Sequence, residues 1–298
     1  MGHVFRRSSG RGWRLRRRSM ELWPQWIRAL QTHQPELKLH LGLLQIAEDE
    51  QAAERMEWLA SQRVDLGLEI VSKEALNKVW PTATHGGLHS RYDGRVDPLL
   101  LQQALREALN EQSVEQSATA VVHLERNNNQ WSVHRADGDS TVHDVVVIST
   151  ALSSDALLEP LGHARPMTPV LGQALALQLE TGPTTWPNWP SVLVDQGFNL
   201  IPTAPGELLL GATVEPGDRA AQDPLNLMRC MNGRAPDWLR TATVVDQWNG
   251  LRARPMDRPA PLLEELEPGL ILASGHYRNG VLLAPATAEW VAAALEQS

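Results

Sequence analysis

The stretch Gly269-Leu270-Ile271-Leu272-Ala273-Ser274-Gly275-His276-Tyr277-Arg278-Asn279-Gly280-Val281-Leu282-Leu283-Ala284-Pro285-Ala286-Thr287 reads as a strand, a loop and the start of a helix in direct succession. Gly269 to Ala273 is an apolar run of strand length, and the pattern from Val281 to about Leu295 is helical. Between them, His276 to Gly280 set glycine, an amide and an arginine just before a helix N-terminus. Backbone N–H groups and the helix dipole favour negative charge at such a place, so the stretch predicts a docking point for an anionic ring or a phosphate.

Immediately upstream, Thr243 to Trp248 reads as a strand, and Trp248-Asn249-Gly250-Leu251-Arg252-Ala253-Arg254-Pro255 reads as that strand delivering Arg252 past a glycine into a loop. An arginine fork matches the plane of a carboxylate and holds it by two parallel hydrogen bonds, which makes Arg252 a candidate anchor for a small carboxylate.

Further upstream, Val170 to Leu179, Ser191 to Ile201 and Glu207 to Thr213 alternate or run apolar between Pro and Gly, as in an antiparallel sheet, with a helix at Pro224 to Met231. Strands are expected at Ala118 to Leu124, Trp131 to His134 and Val142 to Ile148, separated by turns at Asn127-Asn128-Asn129 and Asp137-Gly138. Asp97 followed by Pro98 is a strong helix start, and helices are expected at 48–62 and 73–79. His85-Gly86-Gly87 and Tyr92-Asp93-Gly94 read as turns.

The first residues hold Arg6, Arg7, Arg11, Arg14, Arg16, Arg17 and Arg18 before the first acid, Glu21. They lack the apolar segment of a secretory signal and read instead as the solvated basic face of an amphipathic helix through Leu22, Trp23, Trp26 and Leu30, which Pro24 should kink or restart. Gly10-Arg11-Gly12 imitates a dinucleotide-binding turn, but no apolar strand precedes it and Leu15 stands in place of the third glycine.

Composition bounds the classes. At 298 residues and 42% hydrophobic content the chain can bury a core, and it has no apolar run of membrane-spanning length. A net charge of −8, reached despite the arginine-rich start, leaves an acidic body that would repel nucleic acid. Cys230 is the single cysteine, which excludes an intramolecular disulfide framework and a cysteine-based metal or iron–sulfur site and fits a cytoplasmic setting.

Trp248 to Arg252 and Gly275 to Thr287, in this order near the C-terminus, resemble motifs of the flavin-dependent amine and D-amino-acid oxidase family, most closely its glycine-oxidase branch, associated with thiamine biosynthesis. The resemblance extends through Gly211 to Glu215, Val96-Asp97-Pro98, Ala120 to Arg126 and Asp144 to Ser153. It implies non-covalent FAD, a small amino-acid substrate (glycine-like or a D-amino acid), an imine that hydrolyses to an oxo acid and ammonia, and oxygen as electron acceptor with hydrogen peroxide formed. The same resemblance puts the substrate carboxylate on Arg252 and sets Arg278 over the flavin. Gly280, Val281 and Leu282, beside Asn279, would give backbone contacts to the flavin's pyrimidine end, Val121 would touch the adenine, and Thr150 would lie in the strand-end turn next to the cofactor. His276 reads as a hydrogen-bonding loop residue, and no metal site is named.

The departures from the pattern bear on substrate and cofactor. Asn199 and Val214 replace a tyrosine and a methionine of the substrate pocket, Thr150 replaces a glycine, and Leu152 a tryptophan. No strand with a G-x-G-x-x-G turn precedes Ser19, so the sequence is expected to be an N-terminally shortened member lacking the unit that holds the ADP half of FAD. The expected fold class is α/β (α+β): an incomplete three-layer FAD-binding domain around a mainly parallel sheet (1–35, 92–165 and 250–298), interleaved with an antiparallel-sheet substrate domain (36–91 and 166–249). Two alternatives stand beside the oxidase: a D-amino-acid or N-methyl amino-acid dehydrogenase using another acceptor, and a non-catalytic remnant. The oligomeric state, a homo-oligomer included, is left open.

Overall fold

The computed structural model of the protein describes residues 1–180 and 189–296. In chain order it begins with α1 (Arg11–Leu30), β1 (His40–Ile46), α2 (Glu50–Gln62), β2 (Leu68–Val71), α3 (Lys73–Leu76) and β3 (Gly87–Arg95). Next come α4 (Pro98–Glu111), β4 (Val121–Asn127), β5 (Gln130–Arg135), β6 (Ser140–His143), β7 (Val146–Ile148) and α5 (Ser154–Leu158). Five strands follow: β8 (Met167–Gln178), β9 (Val192–Asp195), β10 (Phe198–Ala204), β11 (Glu207–Gly211) and β12 (Glu215–Pro216). The chain ends through α6 (Gln222–Arg229), α7 (Asp237–Arg240), β13 (Thr243–Pro255), β14 (Leu262–Glu267), β15 (Leu270–Ser274) and α8 (Gly280–Leu295). Among the described residues no helix is long and apolar enough to cross a membrane.

The chain forms two compact units, each assembled from three stretches. The first comprises Met1–Trp13, Glu36–Asp97 and Leu171–Leu251. Its sheet runs β12-β8-β11-β10-β9-β1-β3-β2, with β13 also paired to β8. Pairing is antiparallel at β1/β3, β2/β3, β9/β10, β10/β11 and β8/β11, and parallel at β1/β9. Because side chains alternate across a strand, β9 feeds two cores: Leu193 packs with Leu44, Leu200, Leu210 and Trp80, while Val192 and Val194 pack with Leu43, Leu88, Met56 and Leu59. Both faces are covered, which is why this strand reads as a continuous apolar run. Its last residue, Asp195, is buried and accepts a hydrogen bond from Trp80 Nε1 at 3.1 Å. Burial pushes the Asp195 carboxyl above the usual carboxylate range, with Arg234 opposing the shift.

The second unit comprises Arg14–Pro35, Pro98–Val170 and Arg252–Ser298. It contains the antiparallel meander β4-β5-β6 and the sheet β14-β15-β7, in which β15 is antiparallel to β14 and parallel to β7. Leu124, Trp131, Ile148, Leu158, Leu262, Leu270 and Leu272 form its core. Trp131 is fully buried and donates through Nε1 to the Pro268 carbonyl at 3.2 Å. Glu267 binds His163 at 2.6 Å and Arg126 at 2.6 Å; these partners, His163 foremost, hold its carboxyl below the usual range.

Several local expectations change. Tyr92-Asp93-Gly94 is no turn but lies within β3. A Cβ on Gly94 would come within 2.0 Å of the His40 carbonyl oxygen, so glycine is needed there for close approach to β1. The buried Asp93 carboxylate accepts hydrogen bonds from the backbone N–H groups of Gly2, His3 and Val4 and from Ser90 Oγ. Arg63 completes this anchorage: it donates to the carbonyls of His3, Phe5 and Arg7 and stacks 4.0 Å above the Trp13 ring. Val142 to Ile148 divides into β6 and β7, which join different sheets, and Ser191 to Ile201 divides at Gln196-Gly197 into β9 and β10. The second unit's sheet has one parallel and one antiparallel pair among the described residues, not a mainly parallel arrangement.

In the arginine-rich helix, α1 runs as one element through Pro24 and does not restart there. Arg16 is buried, so the basic face is only partly solvated.

Candidate functional site

The end of β13 and the loop between β15 and α8 lie together in the second unit. Arg252 does not sit in a loop: β13 runs on through Pro255. Ala253 and Pro255 are buried on one face of the strand, while Arg252 is half-buried and Arg254 exposed on the other. Pro255 packs against the backbone after β15 so closely that a Cβ on Gly275 would lie 2.8 Å from Pro255 Cγ. Gly275 also has φ +65°, where glycine alone is unstrained. The Arg254 guanidinium lies 5.8 Å from the centroid of the Tyr277 ring, a second tie between strand and loop.

The loop opens into α8, whose N-terminus no side chain caps: Asn279, at the N-cap position, makes no capping hydrogen bond, and the first turn carries no acid. A helix leaves its first N–H groups without intrahelical acceptors, so the backbone donors at Gly280, Val281 and Leu282 point outward from a site that can receive an acceptor or a negative charge. Arg278, exposed in the same loop, adds a positive charge and forms no ion pair among the described residues. His276 turns back to pair its Nε2 with Thr287 Oγ1 at 2.9 Å, the hydrogen-bonding loop role expected of it.

The helix is braced from behind by α1. Pro285 deprives α8 of one N–H and crowds the preceding turn. The carbonyl of Leu282 and the N–H of Ala286, on either side of it, both meet α1. Trp23 Nε1 donates to the Leu282 carbonyl at 3.1 Å, and the Ala286 N–H donates to the buried Ser19 Oγ at 3.2 Å. Arg18 adds a two-pronged pair with Glu289, its Nε 2.8 Å from Oε2.

The remaining named residues lie elsewhere. Thr150 has φ −86°, an ordinary value for a β-branched residue, and its hydroxyl bonds Ser154 Oγ at 3.2 Å, which in turn meets Ser274 Oγ at 3.0 Å. Backbone strain falls on the next residue, Ala151, at φ 51°. Val121 opens β4 and is exposed. Asn199 and Val214 belong to the first unit: Asn199 Nδ2 donates to the Gly211 carbonyl at 3.0 Å, and Val214 is exposed after β11. A groove of about 500 Å³ runs between Val147 of β7 and Ala284, Ala288 and Val291 of α8, and His276 and Gly280 border it. Arg254 and Tyr277, which sequence reasoning does not single out, join strand and loop, and the alternation Arg252-Ala253-Arg254 is the signal that places two arginines on one strand face.

Uncapped backbone donors beside an exposed arginine suit the anionic edge of a bound cofactor. The family model described as FAD dependent oxidoreductase matches residues 1–294, and the chain belongs to that family. It is 33% identical over 213 residues to the bifunctional protein ThiO/ThiG of Synechocystis sp., a match covering 68% of this chain and 31% of that protein. It is 29% identical over 251 residues to the glycine oxidase of Pseudomonas putida, covering 80% of this chain and 66% of that enzyme. The chain thus spans less than two thirds of either relative. The structure of glycine oxidase from Geobacillus kaustophilus superposes with a TM-score of 0.84 at 23% identity, over 98% of this chain and 81% of that one. Within the FAD dependent oxidoreductase family, the chain is thus similar in sequence and fold to glycine oxidases.

The uncapped start of α8 fits the family's cofactor. A flavin ring presents acceptors, N1 and the C2 carbonyl, on one edge, and unoccupied backbone donors at a helix N-terminus are their chemical complement.

Proposed function

We propose that the chain oxidises a small amino acid at its α-carbon, with FAD as the bound oxidant. When bound, FAD would take the Cα hydride and pass its two electrons to dioxygen as hydrogen peroxide, while the imine hydrolyses in water to an oxo acid and ammonia. The observation that carries this reading is the joining of two functions in one place: Gly275 packed on Pro255 brings the arginine-bearing end of β13 to the loop that opens the uncapped α8.

Arg252 would hold the substrate carboxylate in its fork and so fix the direction in which Cα faces. The N–H groups of Gly280, Val281 and Leu282 would stabilise negative charge growing on the acceptor edge of the ring, and Arg278 would add to that field. No side chain is required as a base if the amine arrives neutral. Val121 and Thr150 are proposed cofactor contacts, and Asn199 and Val214 proposed determinants of substrate choice, from their matched positions. The stretches Arg14–Pro35, Pro98–Val170 and Arg252–Ser298 would be the cofactor-binding unit, and the other unit the substrate-binding one.

Oxygen uptake by the FAD-loaded chain with a panel of glycine, N-methylglycine and small D-amino acids tests the reaction. Peroxide formed in step with oxygen uptake supports an oxidase, whereas turnover only with an artificial dye acceptor would make the protein a dehydrogenase. Replacing Arg252 by alanine removes two charge-assisted hydrogen bonds and should lower kcat/KM by about 100-fold or more while bound flavin is kept. Unchanged turnover would take Arg252 out of the site.

A further inference from the structure

Arg252 is followed two residues later by a second arginine, Arg254, on the same face of β13. We propose that Arg254 is a second carboxylate anchor, so that the site prefers an amino acid carrying a second carboxylate over glycine itself. This rests on the reading of Arg252 as anchor of the first carboxylate.

Three observations support it. Alternation along a strand sets the two Cα atoms about 6.6 Å apart on one face, close enough for two long guanidinium arms to address one small molecule. The burial of Ala253 and Pro255 on the opposite face fixes that register, so neither arginine can turn away without pulling the strand from its packing.

The second observation is the absence of an internal partner. In the same unit Arg18, Arg126, Arg165 and Arg258 each meet a carboxylate. Arg254 forms no ion pair among the described residues, although the chain has 35 acidic against 27 basic side chains. The third is orientation. The guanidinium lies over the Tyr277 ring, in the loop that leads to α8, which holds the arm on the side of the cofactor loop and removes part of its hydration while its hydrogen-bond donors stay free for an incoming anion. A neutral amino acid would leave those donors to water. One with a second carboxylate would pair them by charge-assisted bonds.

Two unreactive hydroxy acids read the preference without turnover: glycolate, the analogue of glycine, and malate, the analogue of aspartate. Titration calorimetry on the FAD-loaded chain should show malate binding about tenfold or more tighter than glycolate. Arg254→Gln should bring the ratio of the two affinities close to one, Arg254→Lys, which keeps the charge but not the fork, should keep part of it, and Arg258→Gln on the same unit should leave it intact. Equal affinities in the parent chain, or a ratio that survives in Arg254→Gln, would overturn the proposal. Failure of the underlying reading has a different signature: glycolate binding retained in Arg252→Gln. If neither acid binds the parent chain, both readings fall together.

Discussion

Two helices of this protein begin in opposite ways. At α2, Asp49 accepts the N–H of Ala52 at 2.7 Å and Glu50 adds negative charge to the first turn, so the helix closes its own N-terminus. At α8, Asn279 makes no capping bond, no acid lies in the first turn, and the flanking loop carries an arginine with no acidic partner among the described residues. A helix of sixteen residues gains about 1 kcal/mol from a good cap. Forgoing that stabilisation is understandable where a ligand supplies the missing acceptor. The contrast sets a helix that closes its own N-terminus, α2, against one whose N-terminus is left to other acceptors, and the proposed flavin contact at α8 rests on it.

The largest effect that would sharpen this contrast comes from the bracing of α8. Ser19→Ala leaves the Ala286 N–H without its buried acceptor and should cost about 1–3 kcal/mol of stability in urea unfolding. An unfolding free energy left unchanged by Ser19→Ala would show that this bond does not brace the helix. A smaller effect comes from exchanging the two N-termini. Asn279→Asp puts an anion at the open end and should weaken FAD retention by about tenfold, whereas Asp49→Ala should lower stability by about 1 kcal/mol and leave FAD retention unchanged. Equal responses of FAD retention to the two substitutions would erase the distinction.

What could be read in the sequence divides along the same line of local against distant causes. The start of α4 at Pro98, the strand β15 and the helix α8 all follow from neighbours in sequence: a proline at a first helical position, an apolar run, a glycine and a helical apolar pattern. Tyr92-Asp93-Gly94 has the local pattern of a turn but lies in a strand, because its partners are distant in sequence. Asp93 binds the amides of residues 2 to 4, and Gly94 is small because the His40 carbonyl presses on it. Arg252 was expected in a loop because Gly250 looks like an end, yet β13 continues as a strand and its partner is β8, which the local pattern does not record. The resemblance supplies the family and most of the named residues; Arg252 lies on β13, Arg278, Asn279 and Gly280 lie at the loop and start of α8 that meet β13 through Pro255 and Arg254, and Val121, Asn199 and Val214 lie on other elements.

The central claim is that the open α8 receives a flavin. The direct measurement is the visible absorption of the 298-residue chain after incubation with excess FAD and removal of free nucleotide by gel filtration. The account predicts that the protein peak carries the flavin bands and that Asn279→Asp loses most of them; a colourless protein peak, with all the FAD in the small-molecule fraction, would contradict it.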